Sequence, residues 1–242
     1  MLESGMNWRA EITKAVTRGV QQACNDIPMF TEDWSGTLAA EYLLTVRVAL
    51  AISDLNEGIG FPFKVYIEER TRDFIRKCIP VWPVMKDVAL RKRIYRAVKR
   101  KGKIDIGVTH DSAPSPEPVP VCVIEIKGFD PAVKEIRKDL IRNANFMKIA
   151  QLTGKHDMFA SFVVLHEGDA GDSTHKDADI KRITKKYRGE VRRIRASRRG
   201  LKVDYDVFTA GEEFAQQGPM PEELQSIEGS PHHFVGVIVT FY

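Results

Sequence analysis

Residues 159–166 (FASFVVLH) are apolar almost without interruption, and this run constrains the fold more than any other. A β-strand turns successive side chains to opposite faces, so a strand apolar along its whole length needs cover on both sides. Residues 121–128 (VCVIEIKG), heavily β-branched, read as another strand. Helical periodicity supplies the cover. Ile12, Val16 and Val20 recur every four residues in 6–24. Residues 37–54 carry Leu38, Leu43, Leu44, Val46, Val48, Leu50 and Ile52 and leave almost no polar face, which predicts a helix buried on most sides. A helix opening at Pro131 steps through Val133, Ile136, Leu140, Ala144 and Met147. Residues 177–198 form a basic helix with Ile180, Ile183, Tyr187, Val191 and Ile194 along one stripe. The expected class is α/β, a mixed central sheet flanked by helices.

Between these anchors the punctuation is clear. Pro28 is expected to close the first helix, and TEDWSG follows as an entry turn with Thr31, Asp33 and Ser35 as candidate caps. FKVYIEE (63–69) reads as a strand and TRDFIRKC as a helical turn, whereas residues 84–100 admit a basic helix or an extended excursion. KIDIGVT (103–109) is a strand with Ile104, Ile106 and Val108 alternating on one side. HDSAPSPEPVP (110–120) holds four prolines and reads as a loop, and EGDAGDSTHKDAD as a polar loop. VDYDVF (203–208) and FVGVIVTFY (234–242) are the closing strands. We read 1–242 as a single domain: a core over 36–168, an N-terminal helical extension over 1–30, and a C-terminal basic helix with strands over 177–242.

Several classes are disfavoured. No apolar run approaches the ~18 residues needed to cross a bilayer. The start mixes charges early and lacks the apolar centre of a signal peptide, so a cytoplasmic protein is expected. Cys24, Cys78 and Cys122 are an odd number without a CxxC pair, which fits buried free thiols rather than disulfides or zinc. The six histidines form no ligand cluster, and no phosphate loop or nucleophile elbow is present.

Charge is unevenly spread. The net charge is +4, yet residues 181–202 hold eleven Lys and Arg against Glu190 alone, and residues 86–103 hold nine against Asp87 alone. Such polarisation is the electrostatic footprint expected of a polyanion-binding protein. Arg192, Arg193, Arg195, Arg198 and Arg199 are the candidate contacts, together with Lys134, Lys138 and Arg142, which recur every four residues on the helix after Pro131.

Three ionisable residues interrupt the apolar strands. Glu125 and Lys127 share one face of their strand, ~6.6–6.8 Å apart. Asp105 falls between Ile104 and Ile106, and pairing of the two strands would bring all three groups together. Burying them is costly without compensation. A divalent cation compensates two carboxylates, and Mg²⁺ suits so sparse a set of oxygen ligands because it retains several waters. Phosphodiester hydrolysis is the matching chemistry, with Lys127 either orienting a water or, at a lowered pKa, accepting its proton.

At these residues the sequence resembles the PD-(D/E)XK nuclease superfamily, which has the restriction-endonuclease-like fold. Ile104-Asp105 stands where that family has its first acid, with isoleucine replacing the motif proline. Glu125-Ile126-Lys127 matches its E-X-K, Asp139-Leu140-Ile141-Arg142 matches a DLxR-like pattern, and AAEYLLTVRVALAI resembles its first core helix. The likeness covers residues 36–168. It implies that Asp105, Glu125 and the Ile126 carbonyl hold Mg²⁺ or Mn²⁺, that Lys127 is the catalytic lysine, and that Glu41 contributes to the site. The expected function is a metal-dependent nuclease acting on DNA rather than RNA, with a homodimer expected if both strands are cut. Two rivals stand beside it: a nucleic-acid-binding module of the same fold without turnover, and a basic module that docks an acidic protein. For Glu41 the alternative is an ion pair with Arg47; Glu68 and Glu69 are candidates for the same site or for the surface.

Overall fold

In the computed structural model the described residues are 7–30, 37–59, 63–79, 87–98, 102–111, 118–168, 175–198, 200–213 and 232–242. The candidate caps at Thr31, Asp33 and Ser35, most of the proline loop, the start of the loop before His175, and Arg199 lie outside them. The chain forms α1 (Trp8–Phe30), α2 (Thr37–Ser53), α3 (Leu55–Ile59), β1 (Phe63–Arg70), α4 (Thr71–Cys78), α5 (Val88–Val98) and β2 (Lys103–His110). There follow β3 (Val119–Phe129), α6 (Val133–Thr153), β4 (Phe159–Glu167), α7 (His175–Ser197), β5 (Val203–Glu213) and β6 (His232–Phe241). Six strands make one mixed sheet in the order β1-β2-β3-β4-β6-β5, with β3 and β4 parallel and every other neighbouring pair antiparallel.

The expected α/β class holds, and the apolar run sits where its composition demands. β4 is buried from Phe159 to His166 and lies between β3 and β6. One face of the sheet packs on α4, α5, α6 and α7, through residues such as Phe74, Ile94, Leu140, Phe146, Ile183 and Tyr187. The other packs on α1 and α2 through Ile12, Val16, Val20, Leu44, Val48 and Ile52. Gly19 lets these two helices approach: a Cβ there would lie 2.6 Å from the Cα of Val48. No described helix is long and apolar enough to cross a membrane. The three cysteines are free and buried, and burial pushes the Cys24 and Cys78 thiols up to about 12.

Several local expectations change. α1 continues past Cys24 to Phe30, so Pro28 does not close it. Within residues 84–100, Val88–Val98 form helix α5. α6 begins at Val133 after an Ala132 cap rather than at Pro131. α2 is not buried on most sides, since Tyr42 is 67% exposed and Leu50 49%. Ile104 does not share a face with Ile106 and Val108: it joins the α4–α7 core, and they join the α1–α2 core. Asp105 is where the alternation breaks. Opposite it, between the pairs Ile67↔Ile106 and Glu69↔Ile104, Glu68 adopts a positive φ of 54°.

At the carboxyl ends of β3 and β4 a polar chain fixes the exits. Asp130 Oδ1 lies 2.6 Å from His166 Nδ1, and His166 Nε2 lies 2.9 Å from the Tyr187 hydroxyl. His166 and Tyr187 are fully buried, so this histidine is a structural tie between β4, the end of β3 and α7.

α6 and α7 are joined by a carboxylate shared between two arginines. Arg137 donates two hydrogen bonds to Glu190, at 2.9 and 3.0 Å, and Arg193 donates a third at 2.7 Å. The Arg137 bonds hold the Glu190 carboxyl below its usual range, against burial and with help from Arg193. A depressed folded-state pKa contributes stability that is present above the unfolded value of ~4.3 and lost as pH falls through the folded one. Glu190→Gln is therefore expected to melt below wild type near neutrality, with the difference closing below about pH 4.3. Thermal unfolding across pH checks this; a gap that stays constant into strong acid would contradict it.

Candidate active site

The site is built where β2 and β3 part. Their pairing ends at Ile106↔Ile124. Beyond it the Asp105 side chain takes over, with Oδ2 accepting the Ile126 amide at 2.6 Å. A strand residue directs its amide and carbonyl to the same neighbour, so the Ile126 carbonyl also faces the Asp105 side. The Ile126 side chain itself is buried in the α1–α2 core.

Glu125 points the other way, under α6. Its side chain is 2% exposed and accepts a hydrogen bond from Arg142 Nη1 at 3.3 Å. The same nitrogen of Arg142 donates to Asp139 one turn earlier, whose carboxylate is 3% exposed. Arg142 is thus an internal countercharge. Its expected role as a surface contact is corrected: the helix turns it inward because two buried carboxylates need a cation. Lys134 and Lys138 stay exposed on the outer side of α6.

Lys127 completes the group. Its ammonium donates to Glu41 Oε1 at 3.0 Å, and the Gly128 amide reaches Glu41 Oε2 at 3.4 Å. Glu41 stands in the second turn of α2, so this contact ties the two faces of the sheet together at one end. The alternative pairing of Glu41 with Arg47 is not formed, because Arg47 pairs with Asp26. Burial pulls the Lys127 pKa down, but the hydrogen bond and charge of Glu41, with the charges of Asp105 and Asp139, outweigh it and hold the amine above its ordinary value. Of the two roles open to Lys127, this favours a cation that donates hydrogen bonds over a proton acceptor. Glu68 and Glu69 do not join the site: Glu68 pairs with Lys103, and Glu69 with Lys77 at 2.7 Å.

Lys127 feels the charges of Glu41, Asp105 and Asp139, and Arg142 bonds both Glu125 and Asp139, so oxygen donors and two cations gather in one partly desolvated place. Carboxylate and carbonyl oxygens are the ligands a hard divalent cation takes. Among the described residues no three His, Cys, Asp or Glu side chains gather closely enough to chelate a metal unaided. Mg²⁺ does not require this, since one or two carboxylates and several waters satisfy it. The oxygen-only donors Asp105, Glu125 and the Ile126 carbonyl therefore fit a hard cation better than zinc.

Asp139 is the site residue that sequence reasoning left without a role. Its signal was present: it lies three residues after Ile136 and three before Arg142, flanking the apolar stripe of α6 rather than opposite it.

The basic C-terminal end of α7 is largely engaged at home. Arg193 bonds Glu190, Arg195 bonds the Val203 carbonyl, and Arg198 bonds Asn145 Oδ1 at 2.7 Å. Arg192 is exposed. Arg195 and Arg198 thus tie the end of α7 to β5 and α6, whereas Arg192 and Arg193 keep exposed side chains.

Compared with known proteins, the chain matches no family model, no curated protein and no solved structure.

Proposed function

We propose that this protein is a divalent-metal-dependent nuclease with a restriction-endonuclease-like core, hydrolysing phosphodiester bonds in DNA. The observation that carries the reading is the gathering, where two strands diverge, of Asp105, Glu125 and Lys127 with Glu41, Asp139 and Arg142. Asp105, Glu125 and the Ile126 carbonyl are the groups that would hold Mg²⁺ or Mn²⁺, which supplies charge neutralisation at phosphate and a more acidic bound water. Lys127 donates to a phosphate oxygen or to the attacking water. Glu41 positions Lys127 through their ion pair, and Arg142 orients Glu125 through a charge-assisted hydrogen bond. Lys127 lies towards the carboxyl end of β3, which runs parallel to β4, and α/β proteins commonly bind ligands at that end of parallel strands.

The test is cleavage of plasmid and linear DNA with Mg²⁺ or Mn²⁺, comparing wild type with Asp105→Ala and Lys127→Ala. Activity in wild type alone supports the reading, and equal residual activity in all three proteins defeats it. Binding without cleavage under any metal would favour the non-catalytic module instead.

A further inference from the structure

The geometry of α7 points to where the nucleic acid lies. The contacts Arg137–Glu190 and Asn145–Arg198 each join residues 53 apart in sequence. α6 and α7 therefore run parallel, with the start of α6 level with Lys186. The first eleven residues of α7, 175–185, extend ~16 Å beyond the start of α6 at 1.5 Å per residue. They rise at the carboxyl end of β4, the same end of the sheet that carries Lys127, Glu41 and Asp105.

This overhang is supported from behind. The β5–β6 ladder continues to Glu213↔His232, whereas β4 pairs with β6 only as far as Glu167↔Phe234. Lys176 pairs with Glu212 at 2.5 Å, and Asp179 lies 3.6 Å from His233, so the helix leans on that extended hairpin.

Its outer face is basic in a regular way. Lys181, Lys185, Arg188, Arg192 and Arg195 follow one another by four, three, four and three residues, and all are exposed. At ~100° per residue they fall within an arc of ~80°. The buried residues Asp179, Ile183, Tyr187, Glu190, Val191 and Ile194 occupy the opposite side. Arg195, at the far end from the site, bonds the Val203 carbonyl. From Lys181 to Arg192 the stripe spans ~16 Å, the rise of about five base pairs of duplex.

We propose that the outer face of α7, from Lys181 through Lys185 and Arg188 to Arg192, is a track for the phosphate backbone of the nucleic acid whose scissile bond lies at the Lys127 end of the sheet. The proposal rests on the nuclease reading for its substrate, but binding and cleavage are tested separately. Regular cationic spacing on a rigid helix offers contacts to phosphates and none to bases, so the track holds DNA of any sequence.

The experiment is fluorescence anisotropy of a labelled 20-base-pair duplex in EDTA, across a salt series, for three full-length proteins. They are wild type, the triple variant Lys181→Gln/Lys185→Gln/Arg188→Gln, and a comparator, Arg193→Gln/Arg198→Gln. Loss of three phosphate contacts is expected to flatten the log–log salt slope by ~2.7 and to weaken binding at 0.15 M salt on the order of 100-fold. The comparator should keep the wild-type slope. An unchanged slope in the triple variant, or an equal loss in both variants, overturns the proposal. So does a wild type that binds no duplex, or a triple variant that loses only anionic vesicles or an acidic protein. Intact binding with no metal-dependent cleavage would instead defeat the nuclease reading and leave the track standing. Circular dichroism confirms that the triple variant, altered only at exposed positions, and the comparator are folded.

Discussion

Arg142→Met is expected to lower the stability of this protein by roughly 3–5 kcal/mol, the usual cost of removing one partner of a buried charge cluster. Met keeps the unbranched stem that packs on α6, so the loss reports the guanidinium. Its removal takes from Glu125 and Asp139, 2% and 3% exposed, the guanidinium that they share. For a chain of this length the change corresponds to a fall in Tm of roughly 10 °C. A further measurement separates charge from packing. Adding Asp139→Asn to Arg142→Met should recover part of the loss, because only one buried carboxylate then needs compensation. A Tm within a degree or two of wild type, unmoved by the added Asp139→Asn, would show that Arg142 is not the countercharge its contacts describe.

Lys127→Ala is expected to reduce metal-dependent cleavage by about 10²–10³-fold, the range found when a single preorganised donor to a developing charge is removed. The loss should appear in kcat and in kcat/KM together, as for a contact made in the transition state. Because Glu41, Asp105 and Asp139 hold the amine protonated, Lys127→Arg should retain more activity than Lys127→Ala. An arginine supplies charge and donors but cannot act as a base. Equal losses in both variants would assign proton transfer to Lys127 instead.

The two strands that carry the candidate site were legible because their apolar context made each charge conspicuous. Asp105, Glu125 and Lys127 interrupt runs that otherwise face a core on both sides. The sheet class followed from the same logic, since β4 has no polar face to expose. What the pattern missed are features set by pairing between distant segments. The split of Ile104 from Ile106 depends on the positive φ of Glu68 on the neighbouring strand, which no periodicity in residues 103–109 contains. Arg142 read as one of an exposed basic series because i+4 spacing is shared by solvated and buried helix faces. Its inward turn follows from Glu125, seventeen residues away. The basic run on α7 was visible as charge, but not that Glu190, Val203 and Asn145 engage its C-terminal arginines.

The central claim is that Asp105 and Glu125 belong to one oxygen-lined site with room for a divalent charge. Titration calorimetry of Mn²⁺ into wild type, Asp105→Asn and Glu125→Gln tests it without relying on turnover. The account predicts one Mn²⁺ per chain bound by wild type, displaced by excess Mg²⁺, and a loss of that signal in each variant while both remain folded. Wild-type binding that survives both substitutions, or the absence of any binding, would contradict it.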